Sequence, residues 1–416
     1  MFAYLLEYNR YLNIIGIIVI AAIAWAFSHN RKAINKRLVL SALALHFVFA
    51  ILMLRTSWGQ VIMEYIAAGA GKVYLFVEKG IEFMFGKLGD SSLPWGFVFA
   101  FKVLPVIIFV GALTGLLYHW GVIQKIVIAM NAVIRPVLGT SGVETISAIA
   151  NSILGQTEAS LFMSNYIHVM TRSELFVLMC SGMAAISISV LVIYTLIGMP
   201  GAHLLTASAM SIPASIFIAK ILVPETEKST TVQNPNLNFE KKTANSFDAI
   251  SKGTLDGLQL ALAVAAMLIS FLALIAMGDY ILAAMGSFIN YVFSWHLPQL
   301  SIAYLLSFIF APFAFLLGFT GTEMWDAGKL LGIKVSVNEM IAFTELAKTA
   351  VSPRTFTILV YALCGFSNFS CIGIQIGMIN ALAPEKKHTV TQLGLYALLG
   401  SSLANLLSAM IVGLLL

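Results

Sequence analysis

The apolar runs of this chain limit its fold more than any other feature. Leu12 to Phe27, Leu38 to Leu54 and Val390 to Leu416 are continuous rather than alternating, and none contains Asp, Glu, Lys or Arg. A helix needs roughly 20 predominantly apolar residues to cross a bilayer, and lipid admits no spanning structure except helices and closed barrels. Continuous hydrophobicity selects helices, because barrel strands alternate. Composition agrees. The 416 residues are 59% hydrophobic and 10% charged, where soluble domains carry about 25% charged residues. So little charge cannot cover a water-exposed surface, and the fold class expected is an all-α polytopic membrane protein. Cys180, Cys364 and Cys371 lie in apolar segments and form neither a disulfide framework nor a metal signature. The net charge of +5 belongs to cytoplasmic loops rather than to nucleic-acid binding. No small-residue cleavage site follows the first apolar segment, so it is read as a retained span.

Eight transmembrane helices are expected. The loop His29 to Arg37 holds Arg31, Lys32, Lys36 and Arg37 and no acid, and Pro384 to His388 is again basic. The positive-inside bias places both loops in the cytoplasm and both termini outside. Between about Gln60 and Lys87, charges punctuate an apolar pattern containing Tyr74, Phe76, Phe83 and Phe85. That is the pattern of an interfacial amphipathic helix, with Trp58 and Trp95 suited to the interfacial belt. A third span follows to Trp120. The chain is then irregular from about Ile123 to Val169, broken by Pro136, Gly139, Gly142 and Gly155, which suggests a re-entrant hairpin. Spans over about Glu174 to Ile197 and His203 to Leu222 precede a polar, mobile linker, about Pro224 to Gly253. The sixth span runs from about Leu255 to Met277. A second irregular stretch, about Leu297 to Ser352, and the spans Thr355 to Leu382 and Val390 to Leu416 complete the chain.

The two irregular stretches occupy matching places. Each is a broken hairpin, followed by a span with a polar interruption and then a plain span. The interruptions read Ser181-Gly-Met-Ala-Ala-Ile-Ser-Ile-Ser189 and Gly365-Phe-Ser-Asn-Phe-Ser-Cys-Ile-Gly373. An inverted repeat of this kind marks secondary transporters, whose sites form near the midplane from discontinuous helices. The expected division is a scaffold over 1–122, a first transport repeat over 123–222, a linker and scaffold span over 223–296, and a second transport repeat over 297–416.

Glu158 and Glu339 are the strongest single signals, because an ionisable side chain at membrane depth is expensive and marks function by default. The alternative for each is a loop tip in water. Gln156 and Thr157 add donors and acceptors suited to a heterocyclic ring, although Thr157 also suits a helix cap. Asn368 both donates and accepts and could instead join two helices. Phe366 could stack on a ring, against a plain packing role. Ser187 and Ser189 suit freed backbone groups better than solute. Lys348 and Arg354 are assigned to the outer interface. His203 and His388 are read as loop residues with no ligand partner, so no metal site is expected from them.

Gly155-Gln-Thr-Glu-Ala159 resembles the first hairpin motif of the concentrative nucleoside transporters. Asn338-Glu-Met-Ile-Ala342 is similar to the family's Asn-Glu-Phe-Val-Ala pattern, and Gly365-Phe-Ser-Asn-Phe-Ser370 to its Gly-Phe-Ala-Asn-Phe-Ser-Ser motif. The matches keep the family order, and the resemblance covers essentially the whole chain. It implies a cation-driven nucleoside importer without cofactors, embedded in lipid as a homotrimer. By position, Gln156, Thr157 and Glu158 would recognise the base with Val190 packed on it, Glu339 and Asn368 would hold the ribose hydroxyls, and Phe366 would gate. The sodium site that the resemblance implies consists of Asn151, the carbonyl of Leu154, and backbone around Ala185 and Ile186. Two positions depart from the family. Cys371 replaces a serine at a ribose contact, and Ala185 replaces a serine that adds an oxygen in sodium-coupled relatives. Sodium is preferred because Asn151 is present, with proton coupling as the alternative and Glu158 or Glu339 as titrating groups. The competing readings are a carrier of nucleobases or amino acids, a channel, and an intramembrane enzyme, the last lacking a His near Ser187, Ser189 or Ser370. No Walker-type loop supports an ATP-driven pump. A bacterial inner membrane is the expected location.

Overall fold

The computed structural model describes residues 2–89, 98–229, 243–294, 296 and 298–416. Trp95, the middle of the expected linker (230–242) and the side chain of Ser189 lie outside the described residues. Among the described residues every regular element is helical.

The first two long helices, α1 (Arg10–Ala26) and α2 (Lys36–Arg55), lead into α3, Ser57–Phe85, capped by the Thr56 hydroxyl on the Gly59 amide. This 29-residue helix exposes Trp58, Val61, Tyr65, Phe76 and Phe83. After a short helical turn at Phe99–Lys102 comes α4, Leu104–His119. Then α5 (Val122–Leu138) buries Ile123, Val127, Ile134 and Leu138 and stops at Gly139 in a left-handed conformation.

The central elements are short and broken. Helix α6 (Gly142–Leu154) starts on a capping box of Ser141 and Glu144 and ends at Gly155, where α7 (Gln156–Phe162) begins. Thr171 and Glu174 box the start of α8 (Arg172–Ala184). An extended break then separates α8 from α9 (Ile188–Leu196), and the long α10 (Gly201–Leu222) follows. The same order recurs after α11, Ser246–Phe293. There α12 (Ile302–Leu316) and α13 (Gly321–Ser336) meet at a bend of 119°. They are followed by α14 (Glu339–Leu346), α15 (Pro353–Leu363), α16 (Phe369–Leu382) and α17 (Lys387–Leu415).

Among the described residues six helical stretches are by themselves long and apolar enough to cross a membrane. Their burial differs in a way that places the core. The α10 stretch is 89% buried and that containing α17 is 78% buried, while Leu272–Phe293 on α11 is only 6% buried. Helices α10 and α17 are therefore central, and the outer part of α11 presents its apolar side chains outward.

Two expectations are corrected. The sixth span is not confined to Leu255 to Met277, because α11 is one helix of 48 residues. At 1.5 Å per residue it is about 72 Å long, more than twice the roughly 30 Å of a hydrocarbon core, so part of the expected linker is helix. His203 and His388 are not loop residues. His203 lies in the first turn of α10, its Nδ1 3.0 Å from the Tyr361 hydroxyl, and His388 lies in the first turn of α17.

The pairing of α4 with α11 rests on two Gly-x-x-x-Gly steps, Gly111/Gly115 and Gly253/Gly257. A Cβ at Gly111 would stand 2.6 Å from the Gly253 carbonyl oxygen, and one at Gly257 would stand 2.9 Å from that of Ile107. Backbones approach this closely only when both faces lack side chains. Gly257→Leu is expected to destabilise the protein by about 1–3 kcal/mol through overpacking, read as a lowered unfolding temperature in detergent.

Candidate functional site

Four helix starts converge on one space. Gly155, at φ +96°, precedes α7. Ser187 caps α9 through the Val190 amide at 3.4 Å, Asn338 caps α14 through the Ile341 amide at 2.9 Å, and Asn368 caps α16 through the Cys371 amide at 3.0 Å. All four line a single open cavity of about 930 Å³. Each helix start carries unpaired N–H groups and a partial positive charge. The carboxylates in the first turns of α7 and α14, Glu158 and Glu339, thus sit where the backbone favours negative charge.

The cavity wall brings together Gln156, Thr157, Glu158, Val190, Glu339, Phe366, Asn368 and Cys371. These come from all four broken helices and span more than 200 positions in the chain. Glu339 is held at both oxygens. The Tyr194 hydroxyl donates to Oε1 at 2.6 Å and the Asn368 Nδ2 to Oε2 at 3.1 Å. Ser370 donates to Asn368 Oδ1 at 2.6 Å, which fixes the orientation of that amide. A carboxylate offers about four acceptor positions, so a carboxylate held at one position on each oxygen can still take two hydroxyls. Gln156 donates Nε2 to the Cys371 sulfur at 3.3 Å, while its buried Oε1 has no partner. It is an unused acceptor at the edge of the cavity, suited to a ring N–H.

A second cavity of about 920 Å³ shares Ile107, Glu158 and Leu260 with the first. It runs along α4 and α11 past Tyr118, Asp256 and Lys252 to Thr243, at the linker end of α11. Glu158 stands where the two spaces meet. Leu154 lines this second cavity.

The residues of the expected cation cage lie at the end of α6 and in the break after α8. Asn151 is completely buried, and its Nδ2 donates to the Leu178 carbonyl at 3.1 Å and the Ser181 hydroxyl at 2.9 Å. Its Oδ1 has no partner. Ala185 and Ile186 form the extended break after α8, and Ser208 joins the Ile186 carbonyl, at 3.1 Å, to that of Ser152, at 2.8 Å. A buried acceptor without a donor, beside an unwound helix end, is the donor set expected for a small hard cation. Among the described residues no cluster of three or more His, Cys, Asp or Glu could hold a metal.

Tyr194 and Gln375 were missed by sequence reasoning. Both lie four residues beyond an identified position, Val190 and Cys371, and so share its helix face. Gln375 donates Nε2 to the Met179 carbonyl at 3.0 Å. The i+4 spacing was the available signal.

The Na+ dependent nucleoside transporter N-terminus family matches residues 15–88, the nucleoside recognition (Gate) family residues 100–201, and the Na+ dependent nucleoside transporter C-terminus family residues 203–413. The putative nucleoside permease NupX of Escherichia coli is 35% identical, covering 96% of this chain and 97% of that protein. The nucleoside permease NupC of Helicobacter pylori is 34% identical, covering 98% of each. Among solved structures, CNTnw in an inward-facing substrate-bound state superposes with a TM-score of 0.89 at 37% identity, covering 97% of each chain. A CNTnw variant in an outward-facing state gives 0.90 at 35% identity, covering 97% of this chain and 98% of the other. Matched along almost its whole length, the chain belongs to the concentrative, Na+ dependent nucleoside transporter family.

Proposed function

We propose that this protein imports nucleosides, with Gln156, Thr157, Glu158 and Val190 contacting the base, Glu339 and Asn368 the ribose, and Phe366 closing over the site. The observation that carries this reading is Glu339, a buried carboxylate braced by Tyr194 and Asn368 at the wall of the cavity. Vicinal hydroxyls are donors in search of a paired acceptor, and a carboxylate accepts both with charge-assisted bonds. Cys371 receives Gln156 rather than standing free. It serves to orient the base-reading amide, and ribose contact at that position is weak.

The moving parts are the two transport repeats, 123–222 and 297–416. Residues 1–122 and 223–296 form the scaffold, including the glycine-locked pair α4 and α11. The broken pairs α8–α9 and α15–α16 each make one crossing, which added to the six long spans gives eight, with the two repeats inverted. The cavity along α4 and α11 is the inner access route past Glu158. The outward apolar face of α11 suits lipid and a homotrimer contact. A bacterial inner membrane is the location that fits these features.

Sodium is the coupling ion, entering at Asn151, Leu154, Ala185 and Ile186. The unpartnered Asn151 Oδ1 supports this choice over protons. With alanine at 185 the cage has only backbone oxygen there. Ala185→Ser adds a ligand oxygen and is expected to lower the sodium concentration for half-maximal uptake about tenfold, as one charge-dipole bond of about 1.5–3 kcal/mol implies. An unchanged sodium response removes the cage assignment. Substrate class is tested by competition in membrane vesicles. Unlabelled uridine and adenosine should suppress labelled uridine uptake while uracil does not, and equal competition by uracil would make this a nucleobase carrier.

A further inference from the structure

Lys334, on α13, is 2% exposed, and its ammonium donates to the Ala362 carbonyl at 2.9 Å and to Asn405 Oδ1 at 2.8 Å. Ala362 is the last residue but one of α15. Its carbonyl is therefore among those a helix leaves unpaired at its negative pole. The Asn405 amide is fixed in turn. Oδ1 also accepts from the Ser367 hydroxyl at 2.7 Å, and Nδ2 donates to the carbonyl of Ala184, the last residue of α8, at 2.7 Å. The Ser367 hydroxyl reaches the Met183 carbonyl at 3.0 Å. The cut ends of α8 and α15 thus meet at one node, and the ammonium is its cation. Ser367 is followed by Asn368, which donates to Glu339 Oε2 at 3.1 Å.

The repeat gives Lys334 a counterpart. It lies four residues before Asn338, the cap of α14, and Asn151 lies four residues before Gly155, the cap of α7. In the first repeat that place holds a neutral amide whose buried oxygen has no partner. In the second it holds an ammonium wrapped by oxygens. One repeat lacks a cation and the other carries its own. A buried charge persists only where it is paired, and here its partners are a helix end and an oriented amide.

We propose that Lys334 is a tethered cation, a positioning residue that does in the second repeat what the coupling ion does in the first. It holds the cut end of α15 and, through Asn405 and Ser367, the neighbouring Asn368 that braces Glu339, so each nucleoside enters with one coupling cation. This rests on the reading of the chain as a cation-driven nucleoside carrier.

The test is the ratio of charge moved to uridine taken up by wild-type proteoliposomes. Uridine is neutral, so the ratio counts cations whichever ion couples. One charge per uridine is expected, and two would overturn the proposal. Lys334→Ala leaves the oxygens of Ala362 and Asn405 around an emptied volume. Its uptake at low sodium should fall about tenfold or more, and its sodium activation should steepen from a one-ion to a two-ion curve. Lys334→Arg should keep the one-ion curve. A role in packing alone would lower uptake in Lys334→Ala without changing the steepness, and that result also overturns the proposal. If Lys334→Ala does not fold, the wild-type ratio decides. Wild-type protein that takes up no uridine strikes the nucleoside reading instead.

Discussion

Uridine uptake by Glu339→Gln is expected to fall about 100-fold in a protein that still folds. The wild-type carboxylate accepts from Tyr194 at 2.6 Å and from Asn368 at 3.1 Å. A glutamine can meet both partners after one amide flip, with its oxygen facing Asn368 Nδ2 and its N–H donating to the Tyr194 oxygen. The Tyr194 hydroxyl proton then loses its acceptor, a local cost of about 1–3 kcal/mol that the fold survives. Solute binding does not. A hydrogen bond to a charged acceptor contributes about 1.5–3 kcal/mol and a neutral one about 0.5–1.5. Exchanging two of them for two ribose hydroxyls loses about 2–3 kcal/mol, roughly 30- to 150-fold. Parallel uptake and thermal-unfolding measurements check the separation. Wild-type uptake in this variant would remove the ribose role.

Gly365→Ala is expected to lower both stability and transport. Gly365 stands in the break between α15 and α16 at φ +115°, where a side chain is strained whatever room surrounds it. Here room is also absent. A Cβ would lie 2.5 Å from the Ala184 carbonyl oxygen and 2.8 Å from Asn405 Oδ1. Both atoms belong to the node that joins the two cut helices. Backbone strain of about 1–3 kcal/mol combines with overpacking of similar size, and relief requires the broken spans to separate. The matched control is Gly373→Ala on α16, where a Cβ meets nothing within 4 Å. It should be neutral or slightly stabilising. A Gly365→Ala protein that unfolds at the wild-type temperature would mean that the two breaks are not in contact.

The breaks were legible because glycine and polar residues interrupt apolar runs at four places, and those places are where helices start at the cavity. The acids were legible because charge is costly at membrane depth. The extent of α11 was not. Lys252 looks like linker composition, and it lines a cavity from within the same helix as Asp256. Hydropathy cannot separate a polar loop from a helix whose polar face lines a water-filled space. His203 read as loop because Gly198, Pro200 and Gly201 punctuate the segment, yet Pro200 only precedes the first turn of α10. The brace on Glu339 and the partners of Lys334 were hidden for another reason. Tyr194 and Glu339 stand 145 positions apart, and Lys334 and Asn405 stand 71 apart. Each looks like an ordinary residue of its own helix until the helices are packed together.

The protein is a multi-pass symporter of the nucleoside transporter family that works by alternating access. Its central claim is tested most directly by uptake of labelled uridine and adenosine into proteoliposomes under imposed gradients, one ion at a time. An inward sodium gradient at equal pH should drive accumulation above the equilibrium level, and a proton gradient without sodium should not. Accumulation driven by protons alone would contradict sodium coupling, and no accumulation of either nucleoside under either gradient would contradict the account as a whole.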